Sequence, residues 1–112
     1  MRESRTAATQ SGLEPALARE IVARILAVTR PERVILFGSR ARGDADPRSD
    51  IDVAVASSSM TREEWLRVLG SLEGVETLLP IQAVRLEEAP EGLRRRIDSE
   101  GVQLYVQSQA RG

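Results

Sequence analysis

The chain has 112 residues, which suits a single domain, and a domain of that size buries roughly two-thirds of the surface its unfolded chain exposes. It has no Cys and no His, and all 16 of its basic residues are Arg, which excludes disulfides, zinc knuckles, thiolate or imidazole catalysis, a Walker A lysine and a Schiff base. A net charge of −1 excludes a broad electrostatic attraction to nucleic acid or to an anionic membrane.

Residues 1–12 are polar and lack the apolar stretch of a secretory signal. They read as a tail, followed by one domain over 13–106 and a short tail over 107–112. No apolar run approaches the ~20 residues of a membrane span, so a cytoplasmic protein is expected. Pro15 opens a helical pattern in which Leu17, Ile21, Ile25 and Val28 form an apolar stripe. Pro31 should end that helix by about Thr29, because the residue before a proline avoids helical angles.

Val34-Ile35-Leu36-Phe37 is a continuous apolar run, expected as a strand buried on both faces. Gly38-Ser39 follows at once, then Arg40-Ala41-Arg42-Gly43, which predicts a turn into a single helical turn closed by glycine. Residues 44–49 read as a loop. From Asp50 to Ala56 the residues alternate, with Ile51, Val53 and Val55 on one face and Asp50, Asp52 and Ala54 on the other. Thr61 and Glu64 fit a capping box, and the helix it starts should end near Gly74. Ile81 to Leu86 is a third strand. Pro90 and Gly101 bracket a last helix, and Val102, Leu104 and Val106 alternate as a final short strand. The expected fold is therefore α/β (α+β), a small mixed sheet of three or four strands with helices packed mainly on one side.

With His, Cys and Lys absent, carboxylates working with a hard, oxygen-loving metal are the natural chemistry. Two acids at i and i+2 on a strand share a face, with α-carbons about 7 Å apart, so Asp50 and Asp52 can converge on one divalent ion. Glycine lets backbone approach a ligand closely, and a strand ending in Gly38-Ser39 before a helical turn presents N–H groups that suit phosphate oxygens. Arg40 and Arg42 add charge there or are simply solvated. Asp-x-Asp and Gly-Ser are each common by chance; their joint order and spacing are far more specific.

Gly38-Ser39-Arg40-Ala41-Arg42-Gly43 followed by Ser49-Asp50-Ile51-Asp52-Val53 resembles the signature of the DNA polymerase beta-like nucleotidyltransferase superfamily. The ten residues between Ser39 and Asp50 match the Gly-Ser-x10-Asp-x-Asp spacing of its minimal members. The core similarity covers residues 33–56, and looser similarity runs to Tyr105. The resemblance implies that Gly38 and Ser39 hold the β- and γ-phosphates of a nucleoside triphosphate, with Arg40, Arg42 and Ser49 as further phosphate-binding candidates. It implies that Asp50 and Asp52 bind magnesium (or manganese), with ATP as the substrate. The family's third acid falls at Gln82, a departure: a Gln amide can offer an oxygen but carries no charge and cannot act as a base near neutral pH. Glu76 and Glu87 are the nearby acids that could substitute.

The resemblance further implies a partner, a small all-helical protein with the HEPN domain, for which such chains act as antitoxins, some by adding AMP to it. Three functions are open at this point: transfer of AMP to a hydroxyl, a nucleotide-binding module that masks a partner, and a glycosyltransferase using Asp-x-Asp. The short chain and the Gly-Ser turn argue against the last. The run Arg94-Arg95-Arg96 reads as solvated surface, since three consecutive residues span most of a helical turn. Trp65 and Tyr105 read as packing residues, and exposed strand edges leave self-association open.

Overall fold

The unbroken run Val34-Ile35-Leu36 becomes an inner strand of a four-stranded sheet in the computed structural model, which describes residues 13–43 and 49–107. In chain order the elements are α1 (Pro15–Leu26), β1 (Arg33–Phe37), the single turn α2 (Ser39–Arg42), β2 (Ile51–Ala56), α3 (Arg62–Glu73), β3 (Ile81–Arg85), a 3-10 turn (Leu86–Glu88), α4 (Glu91–Glu100) and β4 (Val102–Val106). The strands lie in the order β3-β2-β1-β4. β1 runs antiparallel to both neighbours, while β2 and β3 are parallel, so the sheet is mixed.

β1 lacks alternation because both of its faces are covered. Val34 and Leu36 join Ile51, Val53 and Val55 in a core closed by Ile21 and Ile25 of α1 and by Val68 and Leu72 of α3. Ile35 points the other way, into a smaller core with Ala54, Ala56, Leu86 and Ile97. The two long helices thus share one face, and among the described residues the other takes only α4 and the 3-10 turn. Ala54, expected on a carboxylate-bearing face, is fully buried; the small side chains at 54 and 56 leave room for Ile97 to settle on the sheet. Trp65 and Tyr105 pack against the larger core.

Local chemistry explains most of the element ends. Thr61 Oγ1 accepts from the N–H of Glu64 at 3.1 Å, and Glu64 Oε1 accepts from the N–H of Thr61 at 3.3 Å, which completes the capping box. The same Glu64 oxygen accepts from Thr29 Oγ1 at 3.2 Å and so ties the start of α3 to the end of the first helical segment. Gly74 ends α3, and the bracket of Pro90 and Gly101 holds for α4. α1 stops at Leu26, earlier than the proline implied, where the N–H of Val28 turns back three residues to Ile25 O at 3.0 Å and breaks the four-residue ladder. β3 is one residue shorter than the apolar pattern, since Leu86 leaves the strand for the 3-10 turn and is buried there.

The tails and the loop expected at 1–12, 44–49 and 107–112 fall outside the described residues, except for Ser49 and for Gln107, whose N–H donates to Glu32 O at 2.8 Å. Among the described residues, no helix is long and apolar enough to cross a membrane.

Candidate functional site

The site begins where β1 ends. Gly38 has φ 79° and ψ −158°, a conformation that only glycine adopts without strain. A second requirement falls on the same residue. A Cβ at Gly38 would lie 2.5 Å from Asp52 Oδ2, because the antiparallel register sets Asp52 directly across from Phe37. The glycine turn and the second aspartate are therefore pressed against each other, and a side chain at 38 would displace the carboxylate.

After Gly38 the chain closes one helical turn. The N–H groups of Ala41 and Arg42 both donate to Gly38 O at 3.1 Å. Gly43, at φ 83°, ends the turn with its N–H on Ser39 O at 3.0 Å, which is the glycine closure read from the sequence. Ser39 is the first residue of this turn and stands half-buried beside Gly38.

Asp50 stands immediately before β2 and Asp52 within it. Burial pushes the Asp52 carboxyl above its ordinary value, and the negative charge of Asp50 adds to the rise. Both effects favour a cation, which would relieve the repulsion and replace the lost solvation. Gln82 lies level with Asp52 in the parallel register of β2 and β3, at the place counted for the third acid. Its side chain is engaged with the other aspartate: Nε2 donates to Asp50 Oδ2 at 3.2 Å. Glu76 is exposed before β3, and Glu87 is exposed in the 3-10 turn at the far end of that strand.

Among the described residues there is no group of three His, Cys, Asp or Glu side chains that could hold a metal by itself. Two carboxylates suffice for a cation that brings its remaining oxygens with it. Magnesium bound through one or two carboxylates plus substrate phosphates is such a case, and the hard-oxygen donor set of Asp50, Asp52 and the Gln82 amide fits it.

The two arginines of the Gly-Ser turn differ. Arg40 is 8% exposed, and its Nε donates to the backbone oxygen of Ser49 at 3.1 Å. It thereby fixes the residue that leads into Asp50. Arg42 is exposed, and its Nη1 pairs with Glu100 Oε1 of α4 at 3.4 Å.

Those two residues help to enclose a cleft of about 220 Å³ lined by Phe37, Gly38, Arg42, Asp52, Leu93, Arg96 and Glu100. Sequence reasoning missed the contribution of α4. The signal was present in the spacing, because Leu93, Arg96 and Glu100 stand at i, i+3 and i+7 and so share one helix face. Arg95 behaves as the solvated residue expected, pairing with Glu91 one turn back at 2.7 Å. A larger hollow of about 440 Å³ lies elsewhere, between α3 and β3; it is lined mainly by apolar residues such as Leu72, Val75 and Leu79 and contains neither aspartate.

No curated protein matches the chain, but solved structures share its fold. A chain of a toxin–antitoxin complex with AMP-PNP is 22% identical, with a TM-score of 0.63 over 82% of this chain and 75% of that one. A chain of the structure of a tri-AMPylated Shewanella oneidensis HEPN toxin in complex with an MNT antitoxin is 20% identical, with a TM-score of 0.62 over 84% and 73%. A candidate nucleotidyltransferase from Sulfolobus solfataricus is 24% identical, with a TM-score of 0.58 over 97% and 96%. The family model "Polymerase beta, Nucleotidyltransferase" matches residues 20–110, a span that holds the glycine turn, both aspartates and the helix that closes the cleft. On that match the chain belongs to the polymerase beta nucleotidyltransferase family, as a minimal member.

Proposed function

We propose that this protein is a magnesium-dependent nucleotidyltransferase that moves AMP from ATP to a hydroxyl group on a helical HEPN-type toxin, and that it acts in the cytoplasm as that toxin's antitoxin. The observation that carries the reading is the contact between Gly38 and Asp52, which joins a phosphate-approaching turn to a metal-binding acid at one point. The fold neighbours support the setting, since one structure holds AMP-PNP and another an AMPylated HEPN toxin beside an MNT antitoxin.

Asp50 and Asp52 would hold the divalent cation, which when bound supplies positive charge to the triphosphate. Gly38 and Ser39 would receive the β- and γ-phosphates, with Arg42 beside them. Arg40, through Ser49, keeps the approach to Asp50 in place. The acceptor oxygen forms a bond to the α-phosphorus as the bond from that phosphorus to the pyrophosphate oxygen breaks. Pyrophosphate leaves, and the hydroxyl proton passes to solvent, because Gln82 cannot accept it.

The test is transfer of label from ATP marked at the α-phosphate, with magnesium, into the protein encoded beside this one and co-expressed with it. Label that appears with the wild type and disappears with Asp50→Ala supports transfer. Absence of label from a complex that still forms would sink the catalytic reading.

The hydrogen bond from Gln82 to Asp50 favours a second reading, a nucleotide-binding module that masks its partner. It supplies a neutral donor where the family has a third charged acid, and so weakens the case for a second metal ion and a base.

A further inference from the structure

The function of Arg96 is not set by its immediate neighbours. Arg94, Arg95 and Arg96 are all exposed on α4, yet they look in different directions. Arg95 pairs with Glu91, and it lines a surface hollow together with Arg94 and Asp98. Arg96 instead lines the cleft that contains Gly38 and Asp52. Its guanidinium has no hydrogen-bond or ion-pair partner among the described residues. Leu93, one turn earlier on the same face, packs against the smaller core and fixes which way that face looks.

The charges around the cleft are segregated. Asp52 is on the sheet side, with Asp50 next to it. Arg42 and Arg96 are on the side of α2 and α4, and the carboxylate of Glu100 is paired with Arg42. A ligand that satisfies both sides must offer oxygens to a cation held at Asp52 and further oxygens to two guanidiniums, which is the chemistry of a polyphosphate. The volume agrees. At about 220 Å³ the cleft falls below the ~300–1,000 Å³ of pockets that take a whole drug-sized ligand, so a phosphate chain fits and the nucleoside lies outside.

We infer that Arg96 is a second polyphosphate-binding cation, reaching from α4 to hold the pyrophosphate portion of the nucleotide from the side opposite Asp52, with Glu100 occupying the phosphate's place on Arg42 until the nucleotide arrives. This rests on the nucleotide reading given above. It assigns a role to a helix that neither the glycine turn nor the aspartate pair involves.

The experiment measures binding of labelled ATP to the full chain with magnesium, and its displacement by inorganic pyrophosphate. Arg96→Gln should weaken both ATP and pyrophosphate by a similar factor, roughly 10- to 100-fold for a lost charge-assisted bond. Arg96→Lys should fall between that variant and the wild type. Arg95→Gln removes the same charge from the same helix and should leave both affinities within a few-fold of the wild type. If Arg96→Gln binds ATP as the wild type does, or loses ATP but not pyrophosphate, the assignment is overturned while the nucleotide reading stands. The same holds if Arg95→Gln weakens ATP as much, since net charge alone would then explain the loss. A wild type that binds no ATP overturns both.

Discussion

Gln82 Nε2 donates to Asp50 Oδ2 at 3.2 Å, although the strand register sets Gln82 level with Asp52. The amide therefore occupies the third corner of the acid site as a donor to a carboxylate. Restoring a carboxylate with Gln82→Asp removes that donor and adds a like charge. In the absence of metal the variant should be less stable, because a third carboxylate repels Asp50 and Asp52 where an amide donated to Asp50. With magnesium and ATP, label transfer should increase, by up to the ~100- to 10,000-fold that general-base help supplies. Unchanged transfer in this variant would show that base help at this corner does not limit the rate.

Gly38 and Gly43 both have positive φ, but their surroundings differ. Gly43→Ala meets nothing within 4 Å and should cost only the left-handed backbone term, about 1 kcal/mol, with transfer per folded molecule retained. Gly38→Ala takes on a glycine-only conformation, about 1–3 kcal/mol, and also drives a methyl into the Asp52 carboxylate. It should lose metal-dependent nucleotide binding altogether. Urea denaturation and ATP binding, measured on both variants, separate the two effects.

Much of this was legible in the chain. The capping box of Thr61 and Glu64, the closing Gly43 and the strand at Val34–Phe37 each follow from interactions within a few residues. The Gly-Ser and Asp-x-Asp elements could be placed because each sits on a short segment with a strong local preference. Two kinds of fact were not legible. Arg40 reads in sequence as a phosphate-binding candidate or a solvated charge, and its hydrogen bond to Ser49 O is a contact that neither reading contains. The helix face of Leu93, Arg96 and Glu100 meets Gly38 and Arg42 only after some fifty intervening residues have folded, and no local propensity reports such a meeting. The early end of α1 belongs to a third kind: Pro31 limits the helix, but the three-residue bond from Val28 N–H to Ile25 O breaks the ladder before it.

Arg40 supplies a second stability test. Arg40→Gln removes a charged donor from the half-buried Ser49 carbonyl and should cost about 1.5–3 kcal/mol, with weaker nucleotide binding because Asp50 follows the released Ser49. Arg40→Lys should not rescue it, since an ammonium cannot reproduce the Nε–H geometry of a guanidinium. A variant of normal stability would show that the Arg40 side chain, its bond to Ser49 included, does not stabilise the fold.

Asp52 makes stability depend on pH in the metal-free protein. Its folded carboxyl holds a proton more tightly than the ordinary value of 3.8. Its contribution is therefore fully present below 3.8 and is lost as pH rises through the raised folded value. At neutral pH the ionised group opposes folding, so Asp52→Asn should melt higher than the wild type there, and the gap should close as pH falls. Magnesium with ATP should raise the melting temperature of the wild type but not of the variant. Thermal melts across pH, with and without magnesium and ATP, check both statements.

The strand order has a consequence for synthesis. Among the described residues β1 is the first strand made, yet one of its two partners, β4, is the last: Val34 pairs with Tyr105 and Leu36 with Val102. While the chain is being made, the most apolar strand of the protein has one side already joined to β2 and the other still open. An unpaired, apolar edge invites a neighbouring chain. A chain that stops short of Val102 would carry a central strand with one open, adhesive edge, so the segment Val102–Val106 decides whether β1 is sealed or left to aggregate.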